Sequence, residues 1–116
     1  MKKNQYLCGM SSINSPFRYA GGKFYARKLI MEHITAHTTY IEPFCGGASI
    51  FFAKEKATTN WLNDIDADLI NTLTVIRDNP NDLIELLKRR DAKVSRIPAH
   101  LTSSVKIGEP LPALKE

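Results

Sequence analysis

The sequence predicts an α/β domain built on a parallel sheet, and three observations predict it. Two β-branched and aromatic runs, Thr38 to Glu42 and Thr59 to Asn63, flank an apolar helical stretch. A glycine pair, Gly46-Gly47, sits where the first run gives way to that stretch. An acidic pair, Asp64 and Asp66, follows the second run. Alternation of strand and helix belongs to parallel sheets joined by crossover helices. Only two strands are visible, and two parallel strands with one crossover helix cannot cover both faces of a sheet. The chain therefore reads as the opening of a larger doubly wound domain, with an incomplete sheet.

The elements follow in order. Residues 1–15 are a polar lead ending in Ser11-Ser12-Ile13-Asn14-Ser15. Gly21-Gly22 then punctuates the chain, and from Lys23 to about His33 the pattern is helical, with Phe24, Ile30 and Ile34 near one side. Thr38 to Glu42 is a buried strand that Pro43 ends. Ala48 to about Lys56 is a helix with Ile50, Phe51 and Phe52 on its apolar face. After the second strand, Asp64 or Asp66 caps a helix whose buried stripe is Leu69, Ile70, Leu73 and Ile76. Asn79-Pro80 stops that helix and starts another, because proline disfavours helical geometry in the residue before it but suits a first turn. Leu83, Ile84 and Leu87 form the apolar face of the last helix, which ends in Lys88-Arg89-Arg90, cations that suit a helix C-terminus. From about residue 95, Pro98, Gly108, Pro110 and Pro112 break all periodicity, and a loop-like or disordered tail is expected. The expected division is 1–15 lead, 16–94 partial cofactor-binding domain and 95–116 tail.

At 116 residues and 43% hydrophobic content the chain is one domain or a piece of one, and wholesale disorder is not expected. The net charge of +4 suits a polyanionic partner without demanding one. Cys8 and Cys45 do not make a disulfide framework and read as reduced thiols of a cytoplasmic protein. No apolar run approaches the roughly 18 residues of a membrane span, and the first residues lack the apolar middle of a signal peptide. His33, His37 and His100 do not combine with the cysteines at ligand spacing, so no metal is expected. No Ser/His/Asp set stands out.

The glycine turn carries the chemistry. A strand, a glycine turn and a helix start leave backbone N–H groups that can cradle an anion, and glycine admits close backbone approach. A ligand-free tight turn is the bland alternative. The acidic pair follows at roughly the ~20-residue gap at which nucleotide-binding α/β units place a ribose-gripping carboxylate. Asp64 is assigned to the ligand, with Ile65 beside a base, and Asp66 and Asp68 to the helix start. The turn lacks the GxGxxG spacing, which disfavours a nicotinamide cofactor. Tyr19-Ala20-Gly21-Gly22-Lys23 resembles half a phosphate loop, but Phe24 stands where Ser or Thr would hold magnesium, so an ATPase is rejected. Lys23 can still pair with a carboxylate, and Tyr19 can lay its ring near a sulfonium by cation–π attraction; a solvated lysine at a helix start is the plainer reading of that segment alone. The basic run Lys88, Arg89, Arg90, Lys93 and Arg96 suits either phosphates or a solvated helix end.

Taken together, Phe17-Arg18-Tyr19-Ala20-Gly21-Gly22-Lys23, Tyr40-Ile41-Glu42-Pro43-Phe44-Cys45-Gly46-Gly47 and Asn63-Asp64-Ile65-Asp66-Ala67-Asp68-Leu69-Ile70-Asn71 resemble the Dam-type adenine-specific DNA methyltransferases, over roughly residues 16–90. The resemblance implies a Rossmann-like fold with an inserted helical DNA-recognition domain, S-adenosylmethionine as cofactor, and methyl transfer to the exocyclic amino group of a flipped adenine in double-stranded DNA. It implies that Tyr19 and Lys23 contact the cofactor, Lys23 near its carboxylate end. It implies that Phe44, Gly46 and Gly47 lie beneath the methionine part, and that Asp64 holds the ribose with Ile65 by the adenine ring.

One departure is as informative. The family's Asp-Pro-Pro-Tyr motif, which holds the target amino group and stacks on the base, does not occur in this sequence. The later strands and the recognition domain also lack counterparts, and from about residue 92 the resemblance stops. The expectation is a truncated cofactor-binding fragment, inactive alone, or one half of a split enzyme with a complementing chain. The rival is a non-catalytic nucleoside- or DNA-binding regulator on the same fold.

Overall fold

A computed structural model of the chain describes residues 15, 23, 25–90 and 101–111. The order is α1 (Arg27–Met31), β1 (Thr39–Glu42), α2 (Ser49–Ala53), β2 (Thr59–Leu62), α3 (Ala67–Asp78), α4 (Pro80–Lys88) and β3 (Lys106–Ile107). The strands form one parallel sheet in the order β1-β2-β3. Register pairs Tyr40 with Asn60, Glu42 with Leu62, and Leu62 with Ile107.

Strand alternation sorts the side chains onto two faces. Glu42, Asn60, Leu62 and Ile107 are buried on one face, against a core that includes Phe51, Phe52, Leu69, Leu73 and Ile76. All five residues of α2 are buried. The other face carries Thr39, Ile41, Thr59, Trp61 and Lys106, none of which is buried. The indole N–H of Trp61 is buried and has no hydrogen-bond partner among the described residues. Parallel sheets are normally covered on both faces; among the described residues this one is covered on one.

The expected elements are found, but the first strand is not the buried strand expected, since of Thr39–Glu42 only Glu42 is buried, and three further corrections follow. The first helix spans Arg27–Met31 rather than Lys23 to His33 and buries none of its residues. Short helices gain stability from a buried face rather than from propensity, and here the chain tightens instead, with His33 N–H donating to Ile30 C=O and Ile34 N–H to Met31 C=O. The second helix ends at Ala53 rather than Lys56, because Lys54 is already extended (φ −94°, ψ 163°). Beyond it, Asn60 accepts from Ala57 N–H at 3.1 Å and donates to Ala57 C=O at 2.7 Å, which fixes the return into β2.

The third correction is the largest. Residues 101–111 were expected to be loop-like or disordered, and they supply a third strand. Leu101, Val105 and Ile107 are buried in the same core as α2 and α3. Gly108 N–H donates to Leu62 C=O at 3.0 Å, Arg77 Nη1 to Val105 C=O at 2.8 Å, and Lys56 Nζ to Thr102 Oγ1 at 2.8 Å. A strand of two residues flanked by polar and breaking residues has too little period to be read locally; pairing with β2 and three apolar anchors decide it.

The helix after β2 forms as expected. Asp66 is its N-cap and accepts from Asp68 N–H at 3.0 Å and Leu69 N–H at 3.2 Å. Leu69, Leu73 and Ile76 form its buried stripe, while Ile70, expected in it, is only partly buried and packs against the core's edge. Asn79 caps the last helix by position, with no side-chain cap hydrogen bond, and Pro80 opens it. Arg89 and Arg90 are exposed beyond its end; Lys93 and Arg96 lie outside the described residues. No described helix is long and apolar enough to cross a membrane.

Candidate functional site

The turn after β1 is tied to the end of β2. The strand ladder continues past both strands, with Asn63 N–H donating to Glu42 C=O at 2.9 Å and Cys45 N–H to Asn63 C=O at 2.8 Å. Gly46 then takes a left-handed conformation (φ +55°), which glycine adopts without a Cβ penalty. Ala48 is left-handed as well (φ +58°) and precedes the helical residues. Gly47 is buried, and its carbonyl accepts from the Ser15 hydroxyl.

Asp64 latches this turn. Its Oδ2 accepts from Gly46 N–H at 2.9 Å and its Oδ1 from Asp66 N–H at 3.0 Å. The sequence suggested a row of N–H groups open to an anion. The structure fills part of that row: Cys45 N–H donates to Asn63 C=O, Gly46 N–H to Asp64, and Ala48 N–H to Cys45 C=O at 2.8 Å. The protein's own carboxylate occupies the anion position. Asp64 therefore holds together the two loops that would flank a ligand. A carboxylate has about four lone-pair sites, so two backbone bonds leave acceptor capacity for two more donors.

Lys23 reaches the same turn. Its ammonium donates to Glu42 Oε1 at 3.0 Å and to Phe44 C=O. Glu42 is 5% exposed and accepts a second bond from the Tyr40 hydroxyl at 2.9 Å. The Lys54 ammonium lies 4.2 Å from the centre of the Tyr40 ring, a cation–π distance. Burial pushes the Tyr40 phenol far above its ordinary range, with the charge of Glu42 adding to it. Burial also pushes the Cys45 thiol up to about 12, with help from Glu42 and Asp64 and opposition from Lys23. The Lys54 ammonium is shifted down, chiefly by desolvation.

Two apolar side chains stand out from this frame: Phe44 is 76% exposed and Ile65 98% exposed. A cavity of about 260 Å³ adjoins the turn, lined by Lys23, Ile30, Tyr40, Glu42, Phe44 and Ile50, among others. The structure thus brings Lys23, Phe44, Gly46, Gly47 and Asp64 around one turn, with Ile65 next to Asp64. Tyr19 lies outside the described residues. Sequence reasoning gave no role to Glu42 and Tyr40, which hold Lys23 in place; an acid at the end of a β-branched and aromatic strand, just before Pro43, was the available signal. Among the described residues no three His, Cys, Asp or Glu side chains group as metal ligands would.

Comparison with known proteins adds independent findings. The family model of the D12 class N6 adenine-specific DNA methyltransferases matches residues 19–100, about ten residues beyond the stretch that the sequence resemblance spans. The chain is 37% identical over 75 residues to a DNA N-6-adenine-methyltransferase of Escherichia phage P1, covering 65% of this chain and 10% of that protein. It is 35% identical over 89 residues to the type II methyltransferase M1.LlaDCHI of Lactococcus lactis subsp. cremoris, covering 70% of this chain and 29% of that protein. It is 33% identical over 93 residues to a DNA adenine methylase of Serratia marcescens, covering 80% and 29% respectively. The matches therefore span between a tenth and under a third of the relatives' lengths.

Proposed function

This chain belongs to the D12 class N6 adenine-specific DNA methyltransferases, and from that premise we propose that it is the S-adenosylmethionine-holding part of an enzyme that methylates the exocyclic amino group of adenine in double-stranded DNA. The observation that carries the proposal is the Asp64 latch: one carboxylate joins the glycine turn to the end of β2.

The residues fit the cofactor. Asp64 keeps acceptor capacity for the two ribose hydroxyls after its two backbone bonds. Ile65 presents an exposed apolar side chain that an adenine ring would cover. Phe44 and the Gly46-Gly47 backbone would flank the methionine part, Lys23 would meet its carboxylate, and Tyr19 would complete the pocket. The bound cofactor supplies an electrophilic methyl group on a sulfonium. The chain's own contribution is to hold and orient that donor, and orientation is a large share of what an enzyme provides.

The same reading makes this chain nearly inactive alone, because no Asp-Pro-Pro-Tyr segment is present to orient an adenine amino group. A complementing polypeptide with the catalytic half would restore turnover. The outer edge of β1, which pairs only with β2 among the described residues, supports such a partner. The free thiol of Cys45 fits a cytoplasmic setting in a bacterial or phage-infected cell.

Isothermal titration with S-adenosylmethionine tests the proposal. Saturable binding is expected, lost in Asp64→Ala and weakened in Asp64→Asn, which keeps one acceptor oxygen. Absence of binding by the unaltered chain would overturn the cofactor reading, and DNA binding without cofactor binding would favour a non-catalytic regulator. Turnover on duplex DNA by the isolated chain would overturn the prediction of inactivity.

A further inference from the structure

We infer that Glu42 is a positioning residue that aims the Lys23 ammonium at the carboxylate of the amino-acid end of the methyl donor. The inference rests on the proposed cofactor site and goes beyond it, because it assigns a buried acid that the site does not use directly.

The geometry is a relay of fixed contacts. Tyr40 donates to Glu42 Oε2 at 2.9 Å, and Glu42 Oε1 accepts from Lys23 Nζ at 3.0 Å. Lys23 also donates to the carbonyl of Phe44 in the turn. The side chain of Glu42 is 6% exposed and that of Lys23 is 35% exposed. The acid is thus sealed inside while the ammonium faces outward. An ammonium has three N–H donors, and Glu42 and Phe44 account for two. The remaining donor points to a ligand role, on the wall of a cavity that Lys23, Glu42 and Phe44 share.

The physical reason for a buried partner is preorganisation. A free lysine loses a large rotamer entropy when a ligand fixes it. One already held by a buried carboxylate and a carbonyl loses less on binding, and that difference appears as affinity. A charge–charge account predicts the opposite sign, since the negative Glu42 would repel an incoming carboxylate. The two accounts therefore separate experimentally.

The test compares two probes by isothermal titration: S-adenosylmethionine, and 5′-methylthioadenosine, which keeps the adenine, ribose and sulfur but has no amino-acid end. Glu42→Gln is expected to weaken S-adenosylmethionine by about 3- to 10-fold, the scale of one immobilised side chain, and to leave 5′-methylthioadenosine unchanged. In a Lys23→Gln background the same substitution is expected to do nothing more, because the acid acts through the lysine. Tyr40→Phe, which spares the ion pair, is expected to give a smaller loss in the same direction, and it decides the matter if Glu42→Gln does not fold. Equal weakening of both probes, unchanged binding, or tighter S-adenosylmethionine binding in Glu42→Gln would overturn the inference. If the unaltered chain binds neither probe, the cofactor reading fails and the inference fails with it.

Discussion

The glycine turn and the tail strand are held by opposite kinds of force. Around the turn, Cys45 and Ala48 reach the core, but the side-chain contacts that shape it are polar: Asp64 to Gly46, Lys23 to Glu42 and Phe44, Tyr40 to Glu42. Its large apolar groups, Phe44 and Ile65, face outward. In the tail, Leu101, Val105 and Ile107 are buried, and polar bonds received from Lys56 and Arg77 and donated to Leu62 C=O tie the segment to distant parts of the chain. The turn presents polar bonds and outward apolar groups, as the proposed cofactor site requires; the tail is part of what keeps the sheet folded. Substitutions in the tail are therefore expected to act on stability, and those in the turn chiefly on binding.

The comparison can be broken most forcefully in the tail. Ile107→Ala removes a side chain that packs in the core beside its register partner Leu62 and is expected to lower unfolding stability by about 2–5 kcal/mol, read by urea denaturation. A loss close to zero would mean that the tail does not belong to the core. Next in size is Asp64→Ala, which takes the acceptor from two backbone amides, those of Gly46 and Asp66. Each deserted amide costs about 1–3 kcal/mol when buried, and water relieves part of that here because Asp64 is half-buried. The expected stability loss is smaller than for Ile107→Ala, while cofactor binding disappears.

Gly108→Ala is expected to cost about 1–2 kcal/mol from its left-handed φ of +65°. Some repacking adds to this, because the new Cβ would stand 2.7 Å from Ile70 Cγ2. Thermal unfolding reads the loss. Asp66→Ala removes the cap of α3 and is expected to cost roughly 1 kcal/mol, with urea denaturation as the measure. It should leave a readable cofactor titration, whereas Asp64→Ala should not; equal effects on binding would erase the division between these two acids.

At neutral pH the smallest effect is at Cys45. Its folded pKa is raised from the ordinary 9.0 to about 12, so the stability it contributes is fully present below pH 9 and is lost as pH rises from there toward 12. In a Cys8→Ser background, a thiol reagent at pH 8 should modify Cys45 only as fast as the chain unfolds. Rapid modification would mean that the turn opens readily, and the contrast with the tail would then concern dynamics as well as forces.

The legibility of the two regions follows from the same difference. The strands near 39–42 and 59–62 and the helix from Ala67 were readable because β-branched runs and a repeating apolar stripe are local patterns. Asp66 was readable as a cap because capping is a contact over two or three residues. Asp64 was readable as a ligand candidate from its spacing to the glycine turn. Its latch to Gly46 was not, because that bond joins residues 18 apart in the chain. The ends of α1 and α2 were overextended because helical periodicity does not report where a buried face stops.

The sequence by itself determined the strand–helix alternation, the turn and acid order, and with them the family. These depend on residue type and short spacing, which the chain carries wherever it folds. The tertiary structure alone decided that residues 101–107 close the sheet, that one sheet face stays uncovered among the described residues, and that Glu42 and Tyr40 hold Lys23. The tail strand gains its stability from burial against residues more than thirty positions away, and the Lys23–Glu42 pair spans 19 positions, so neither leaves a local period to read.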